Sequence, residues 1–175
     1  MVPVFGQVLR RLDGRMENLR PIIPLVPHMA DRVREMTAHW PNKPIYIENE
    51  ADKFAAFQAS RAALASSGTA TMELALCGLP TVVAYNMGLM GDLLVRIMPV
   101  PSVVLVNLIL DAPAMPEFLQ ERCDAAEIAP VLLRMLEDDD VNNHYRDMLG
   151  GFRAAMRQAG EKPADRAAAL TLSMI

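Results

Sequence analysis

Ala65-Ser66-Ser67-Gly68-Thr69-Ala70-Thr71-Met72-Glu73, continuing through Leu74 to Tyr85, is the stretch that decides the fold. An apolar run, Ala62 to Ala65, ends in small hydroxylated residues and one glycine, and a helix-forming segment from Thr69 to Cys77 follows. Gly78-Leu79-Pro80 stops that helix, and Thr81-Val82-Val83-Ala84-Tyr85 reads as a buried strand. The pattern is strand, tight loop, helix, strand, with the loop opening onto a helix N-terminus. Unpaired N–H groups and a partial positive charge at such a terminus favour a phosphate or diphosphate. Ser66, Ser67 and Thr69 add hydroxyl groups, and Gly68 lets the backbone approach a ligand closely.

Glu73 lies five residues after Gly68, inside the helix and on a side that can look back over the loop. It is not the acid of a capping box, because Ala70 stands where that motif needs Ser or Thr. Two readings remain. A carboxylate there repels phosphate but accepts two hydrogen bonds from a neighbouring ribose diol; alternatively Glu73 is a solvated helix residue.

Composition narrows the class. With 175 residues, 52% of them hydrophobic, only 5% aromatic and 13 Met, the chain suits one helix-rich α/β domain. A net charge of -4 provides no basic stripe to neutralise phosphates, so nucleic acid is not the expected partner. Cys77 and Cys123 are isolated, Cys77 reading as a small buried hydrophobe, and His28, His39 and His144 lack partners at ligand spacing, so no metal site is expected. Met1 to Phe5 do not resemble a signal peptide, and the apolar stretch Ile97–Leu110 is too short for a membrane span and contains Pro99 and Pro101. A cytoplasmic location follows, with contact to a membrane surface left open.

Along the chain, Val4, Val8, Leu9 and Leu12 predict an amphipathic helix to about Asn18. Strands are expected over Pro21–Val26 and Pro44–Glu48. Helices are expected over His28–Trp40, with Met29, Val33 and Met36 on one face, and over Ala51–Ala59, with Phe54 and Phe57 inward. This alternation is the signature of a parallel sheet. Leu89–Met98 reads as a helix whose one polar stripe is Asp92 and Arg96, either buried under the sheet or lending apolar surface to acyl chains or a bilayer face. Val103–Val106 reads as a last strand with Asn107 at its carboxyl end, where open α/β sheets place ligands. Pro116 is expected to start a short helix on which Glu117 and Gln120 share a face. Asp124 caps a helix to about Glu137, with Ile128, Leu132, Met135 and Leu136 inward. Asp138–Asp140 form a solvated corner, a long helix runs from about Val141 to Ala159, and an Ala-rich segment from 164 carries Leu170 and Met174 on one side.

Three separated segments resemble lipid-A-disaccharide synthase: Ser67–Glu73 with Gly78–Tyr85, Val106–Ile109, and Met115–Glu121. The resemblance covers about residues 1–160 and implies an α/β fold: the parallel-sheet, Rossmann-like C-terminal half of a glycosyltransferase B fold, with C-terminal helices. It implies a UDP-sugar-binding domain over 1–160 and a crossover helix over 161–175. It further implies that the N-terminal acceptor domain, which carries the general base, is absent, together with a strand and a Pro-Gly-Ser-Arg loop just upstream. The isolated chain is therefore expected to be inactive in transfer. The implied substrates are UDP-2,3-diacylglucosamine and 2,3-diacylglucosamine 1-phosphate, joined as a β-1,6 disaccharide with release of UDP at the inner-membrane surface. No cofactor is implied, and a homodimer is a further implied partner. By position, Ser66, Ser67, Gly68, Thr69 and Asn86 fall to the diphosphate, and Glu73 falls to the ribose. Asn107, Glu117 and Gln120 fall to the donor sugar or reacting region. Relatives often place a basic residue where Asn86 stands, so a charge contact there is weakened to a hydrogen bond. Two other functions share parts of the pattern, a sugar-nucleotide 2-epimerase and a non-catalytic nucleotide-binding or assembly module; the segments around Asn107 and Pro116–Glu121 favour the transferase over the epimerase.

Overall fold

The computed structural model describes residues 1–16, 18–88, 101–156 and 163–173. Its elements, in order, are α1 (Val2–Leu12), β1 (Ile22–Pro24), α2 (Ala30–Thr37, entered through a 3-10 turn at Pro27–Met29), β2 (Ile45–Ile47) and α3 (Glu50–Ala59). Then come β3 (Ala63–Ala65), α4 (Thr69–Leu76), β4 (Thr81–Tyr85), α5 (Leu105–Leu110), β5 (Glu117–Leu119), a 3-10 turn at Gln120–Arg122, α6 (Ala125–Glu137), α7 (Asp139–Met156) and α8 (Pro163–Leu172). Among the described residues every strand pair is parallel, β1 with β2 and, in a second ladder, β3–β4–β5.

β4 organises the core. Its side chains alternate between faces, as an extended chain requires. Val82 and Ala84 pack with Val8 and Leu12 of α1 and with Ile128, Leu132 and Met135 of α6. Val83 packs on the other side with Leu74 and Ala75 of α4 and with Leu149 and Phe152 of α7. The result is a sheet between two helical layers. α1 ends earlier than the expected Asn18, because Asp13 is extended and Gly14 turns with φ +79°. Gly6 on α1 meets the Trp40 indole so closely that a Cβ would lie 2.6 Å from Nε1. At the outer end of the sheet, Asp124 caps α6 as expected, its Oδ1 accepting from Ala126 N at 2.6 Å.

Several expected faces and elements differ. Met29 and Met36 are exposed and only Val33 of that trio is half-buried, because α2 packs through Thr37, whose hydroxyl bonds Tyr46 Oη at 2.7 Å. Phe57 reaches the core, but Phe54 stays at the rim, edge-on to Phe57 with centroids 6.1 Å apart. Cys77 is half-buried at the C-terminus of α4 rather than in the core; Cys123 is the buried thiol.

The largest departure is at the sheet edge. Val103–Val106 is not a strand: Val104 is extended, and α5 starts at Leu105. Pro116 does not start a helix; it leads into β5, its carbonyl accepting from Val83 N at 2.8 Å. The free edge of β4 is taken by Glu117–Leu119, and residues 103–106 have no ladder to join. Glu117 and Gln120 consequently lie in a strand and a turn and do not share a helix face.

α7 begins at Asp139, so Asp139 and Asp140 lie in its first turn, where the helix dipole favours them. Asp139 also pairs with Arg61 at 2.6 Å. Leu170 of α8 is 58% exposed. The segment Leu89–Met98, with Asp92 and Arg96, and Met174 lie outside the described residues.

Candidate functional site

The loop after β3 is shaped by Gly68, whose φ of 145° and ψ of -162° belong to a region only glycine occupies readily. A Cβ built there would meet nothing within 4 Å, so glycine is required by the backbone and not by crowding. Gly68 is the N-cap of α4 and offers no side-chain cap. Its carbonyl instead accepts from Thr71 Oγ1 at 2.6 Å and from Thr71 N at 3.2 Å. Gly68, Thr69 and Ala70 are exposed at the start of α4, where a helix leaves its first N–H groups without intrahelical partners. Ser66 is half-buried, and Ser67 is turned inward, its hydroxyl donating to Val103 O at 3.1 Å.

Glu73 sits one turn into α4 and is held by Lys53 of α3, whose Nζ is 2.9 Å from Oε1. Lys53 also lines a cleft of about 310 Å³ at the carboxyl ends of β1 and β2, with Leu25, Val26, Glu48 and Asn49 on its other walls. Parallel sheets bind ligands at that end of their strands. The Cys77 thiol lies one turn further along α4; burial first, and then the nearby Glu73 charge, push its pKa up.

A second group forms around β5. Asn107 is 6% exposed, and its amide clasps the Met115 main chain, Nδ2 donating to Met115 O and Met115 N donating to Oδ1, each at 2.8 Å. The same Nδ2 donates to Glu117 Oε1 at 2.8 Å. Ser102 Oγ donates to that oxygen as well, and Val103 N donates to Oε2 at 3.0 Å. Glu117 is therefore a carboxylate with three internal donors, which ties the residues ahead of α5 to the sheet. Through Val103 this group is joined to Ser67 and hence to the Gly68 loop.

A third group lies where β4 ends. Gln120, with φ 51°, accepts from Met87 N at 2.8 Å and donates to Gly88 O at 2.9 Å. Asn86 closes the same turn by accepting from Gly88 N at 2.7 Å, and its Nδ2 lies 3.4 Å from Gln120 O.

The residues singled out from sequence thus fall into three neighbourhoods: Ser66 to Glu73, Asn107 with Glu117, and Asn86 with Gln120. Lys53 and Ser102 were not foreseen. Neither belongs to a motif; each reaches its partner across 15 or more residues of chain, a separation no local pattern encodes. Among the described residues no group of three His, Cys, Asp or Glu could hold a metal ion, and no helix is long and apolar enough to cross a membrane.

Residues 1–171 match the family of lipid-A-disaccharide synthetases. The chain is 39% identical over 173 residues to a lipid-A-disaccharide synthase of Bradyrhizobium diazoefficiens, covering 98% of this chain and 44% of the relative. It is 36% identical over 170 residues to that of Nitrobacter winogradskyi, covering 97% and 43%. With the enzyme of Granulibacter bethesdensis the identity is 40% over 139 residues, covering 79% and 35%. The chain spans less than half the length of these curated relatives.

Proposed function

The chain belongs to the lipid-A-disaccharide synthase family, and on that premise we propose that it binds the UDP-sugar donor of a hexosyltransferase of lipid A biosynthesis. The whole protein would transfer 2,3-diacylglucosamine from UDP to 2,3-diacylglucosamine 1-phosphate, forming a β-1,6 disaccharide and releasing UDP. The observation that carries the donor reading is the exposed, glycine-capped N-terminus of α4 with Glu73 one turn behind it. Backbone N–H groups of Gly68, Thr69 and Ala70, aided by the Ser66 and Thr69 hydroxyls, take the diphosphate. Such fixed donors stabilise the negative charge that grows on the leaving group without reorganising during reaction. Glu73 accepts from the ribose hydroxyls.

Asn86 and Gln120, which stabilise one turn at the end of β4, border the same edge of the sheet. Glu117 works at the sugar side, and Asn107 acts through it, because the amide of Asn107 is already engaged with Met115 and Glu117. Ser67 contributes by anchoring the loop to Val103. Substrates that carry acyl chains place the reaction at the cytoplasmic surface of the inner membrane. Leu105, Leu108 and Ile109, exposed along one side of α5, supply apolar area suited to that surface.

Calorimetric titration of UDP into the 175-residue chain tests the donor reading. Saturable one-site binding is expected, with Kd between about 1 μM and 1 mM, the range usual for enzyme substrates. Absence of binding at several millimolar UDP would overturn it.

A further inference from the structure

Lys53 stands where the cleft meets the nucleotide loop. It projects from the end of the first turn of α3, its side chain is 18% exposed, and it lines the cleft at the ends of β1 and β2. Its Nζ lies 2.9 Å from Glu73 Oε1, 3.8 Å from Glu50 Oε1 and 4.7 Å from the centroid of the Phe54 ring. The Glu50 side chain is 86% exposed, so solvent screens that longer contact. The Glu73 side chain is 30% exposed, and its contact is a charge-assisted hydrogen bond at full strength in distance. A lysine held between an aromatic face and a half-buried carboxylate has surrendered most of its rotamer freedom, and it fixes the carboxylate in turn.

We propose that Lys53 is a positioning residue of the nucleotide site, a role that rests on the ribose reading of Glu73. By taking Oε1, it turns the carboxylate so that Oε2 is presented to the ribose diol. Its positive charge also offsets Glu73, whose bare carboxylate one turn behind the loop would repel the diphosphate held there. Glu73 alone, on a flexible side chain, would be both misdirected and electrostatically costly. The pair solves both problems by joining two successive crossover helices at the point where their ligand lies. If the ion pair served only to tie α3 to α4, its loss would weaken every nucleotide equally.

The test compares UDP with 2′-deoxy-UDP on the full chain, for the parent, Lys53→Met and Lys53→Arg, with circular dichroism melts confirming that each is folded. The parent is expected to prefer UDP about tenfold or more, the loss expected for a hydrogen bond to a charged acceptor. Lys53→Met should bring the two affinities within about twofold of each other, and Lys53→Arg, which can still reach Oε1, should restore most of the preference. If Lys53→Met does not fold, Lys53→Gln is judged by the same ratio. A preserved preference in the variant that lacks the charge, whatever happens to overall affinity, overturns the role of Lys53 alone. A parent that binds both nucleotides equally overturns the ribose reading of Glu73 and the role of Lys53 together.

Discussion

Asn107 holds Met115 by both ends of one amide: Nδ2 donates to the Met115 carbonyl, and the Met115 N–H donates to Oδ1, each at 2.8 Å. Two chain segments that share no strand pairing are thereby fastened as if they did. The segment ahead of α5 is kept beside β5, and Glu117 receives its donors there.

Asn107→Ala should therefore destabilise the fold by about 2–3 kcal/mol, because it strands the buried Met115 N–H and carbonyl and takes one of three donors from Glu117. Asn107→Asp removes the donor to Glu117 and adds a like charge, so it should be no better. Urea unfolding checks both. An Asn107→Ala variant as stable as the parent would show that water replaces the amide without loss.

Gly68→Ala should cost about 1–3 kcal/mol of stability or distort the loop, since φ 145° with ψ -162° strains any side chain although space is open around it. UDP affinity should fall more steeply than thermal stability, because the first N–H groups of α4 are re-aimed. Paired thermal melts and UDP titrations give both quantities. Unchanged binding would remove this loop from the diphosphate.

Glu73→Ala should weaken UDP binding by about 1–3 kcal/mol, as expected for lost hydrogen bonds to a charged acceptor. Binding of 2′-deoxy-UDP should change much less. The same substitution removes a charge that helps keep the Cys77 thiol protonated, so alkylation of Cys77 by iodoacetamide at mildly alkaline pH should speed up. A variant that binds UDP as well as the parent contradicts the ribose assignment.

Both thiols are displaced in the same direction: burial is the first cause of the raised pKa at Cys77 and at Cys123. An acid whose pKa is raised on folding keeps its proton in the native state while the unfolded chain loses it. The unfolded state then binds fewer protons, so stability falls as pH rises above the unfolded thiol value of about 8.5. Cys123→Ala should flatten that decline, measured as urea midpoints from pH 7 to 10. An identical slope in the variant would mean that the thiol does not contribute.

Self-association is expected through α8, where residues 168–172 are exposed and Leu170 and Leu172 are 58% and 71% accessible. Apolar area of this kind seeks a partner in water. Light scattering should show a dimer or larger species, reduced by deleting residues 164–175. A clean monomer at micromolar concentration with α8 present would contradict it.

The turn chemistry and the hydrophobic periods of the sequence were enough for the parallel α/β layout and for the unit from Ala63 to Tyr85. Gly68, Thr69 and Glu73 could be picked out for the same reason: a glycine-led helix start and the position of one acid within it are local facts, set by backbone sterics and helical pitch. The sheet edge was not legible, because Val103–Val106 and Glu117–Leu119 both have strand-like composition and only one of them can occupy the free side of β4. Tertiary packing chose the second and wound the end of the first, Leu105 and Val106, into α5, since a short extended run without a ladder leaves its peptide groups unpaired. The exposure of Met29, Met36 and Phe54 was likewise decided by which helix faces found a neighbour. Most of all, the grip of Lys53 on Glu73 and of Asn107 on Met115 belongs to the folded chain alone. Hydrogen bonds between distant residues depend on angstrom-scale placement of whole elements, and no pattern of neighbouring residues carries that information.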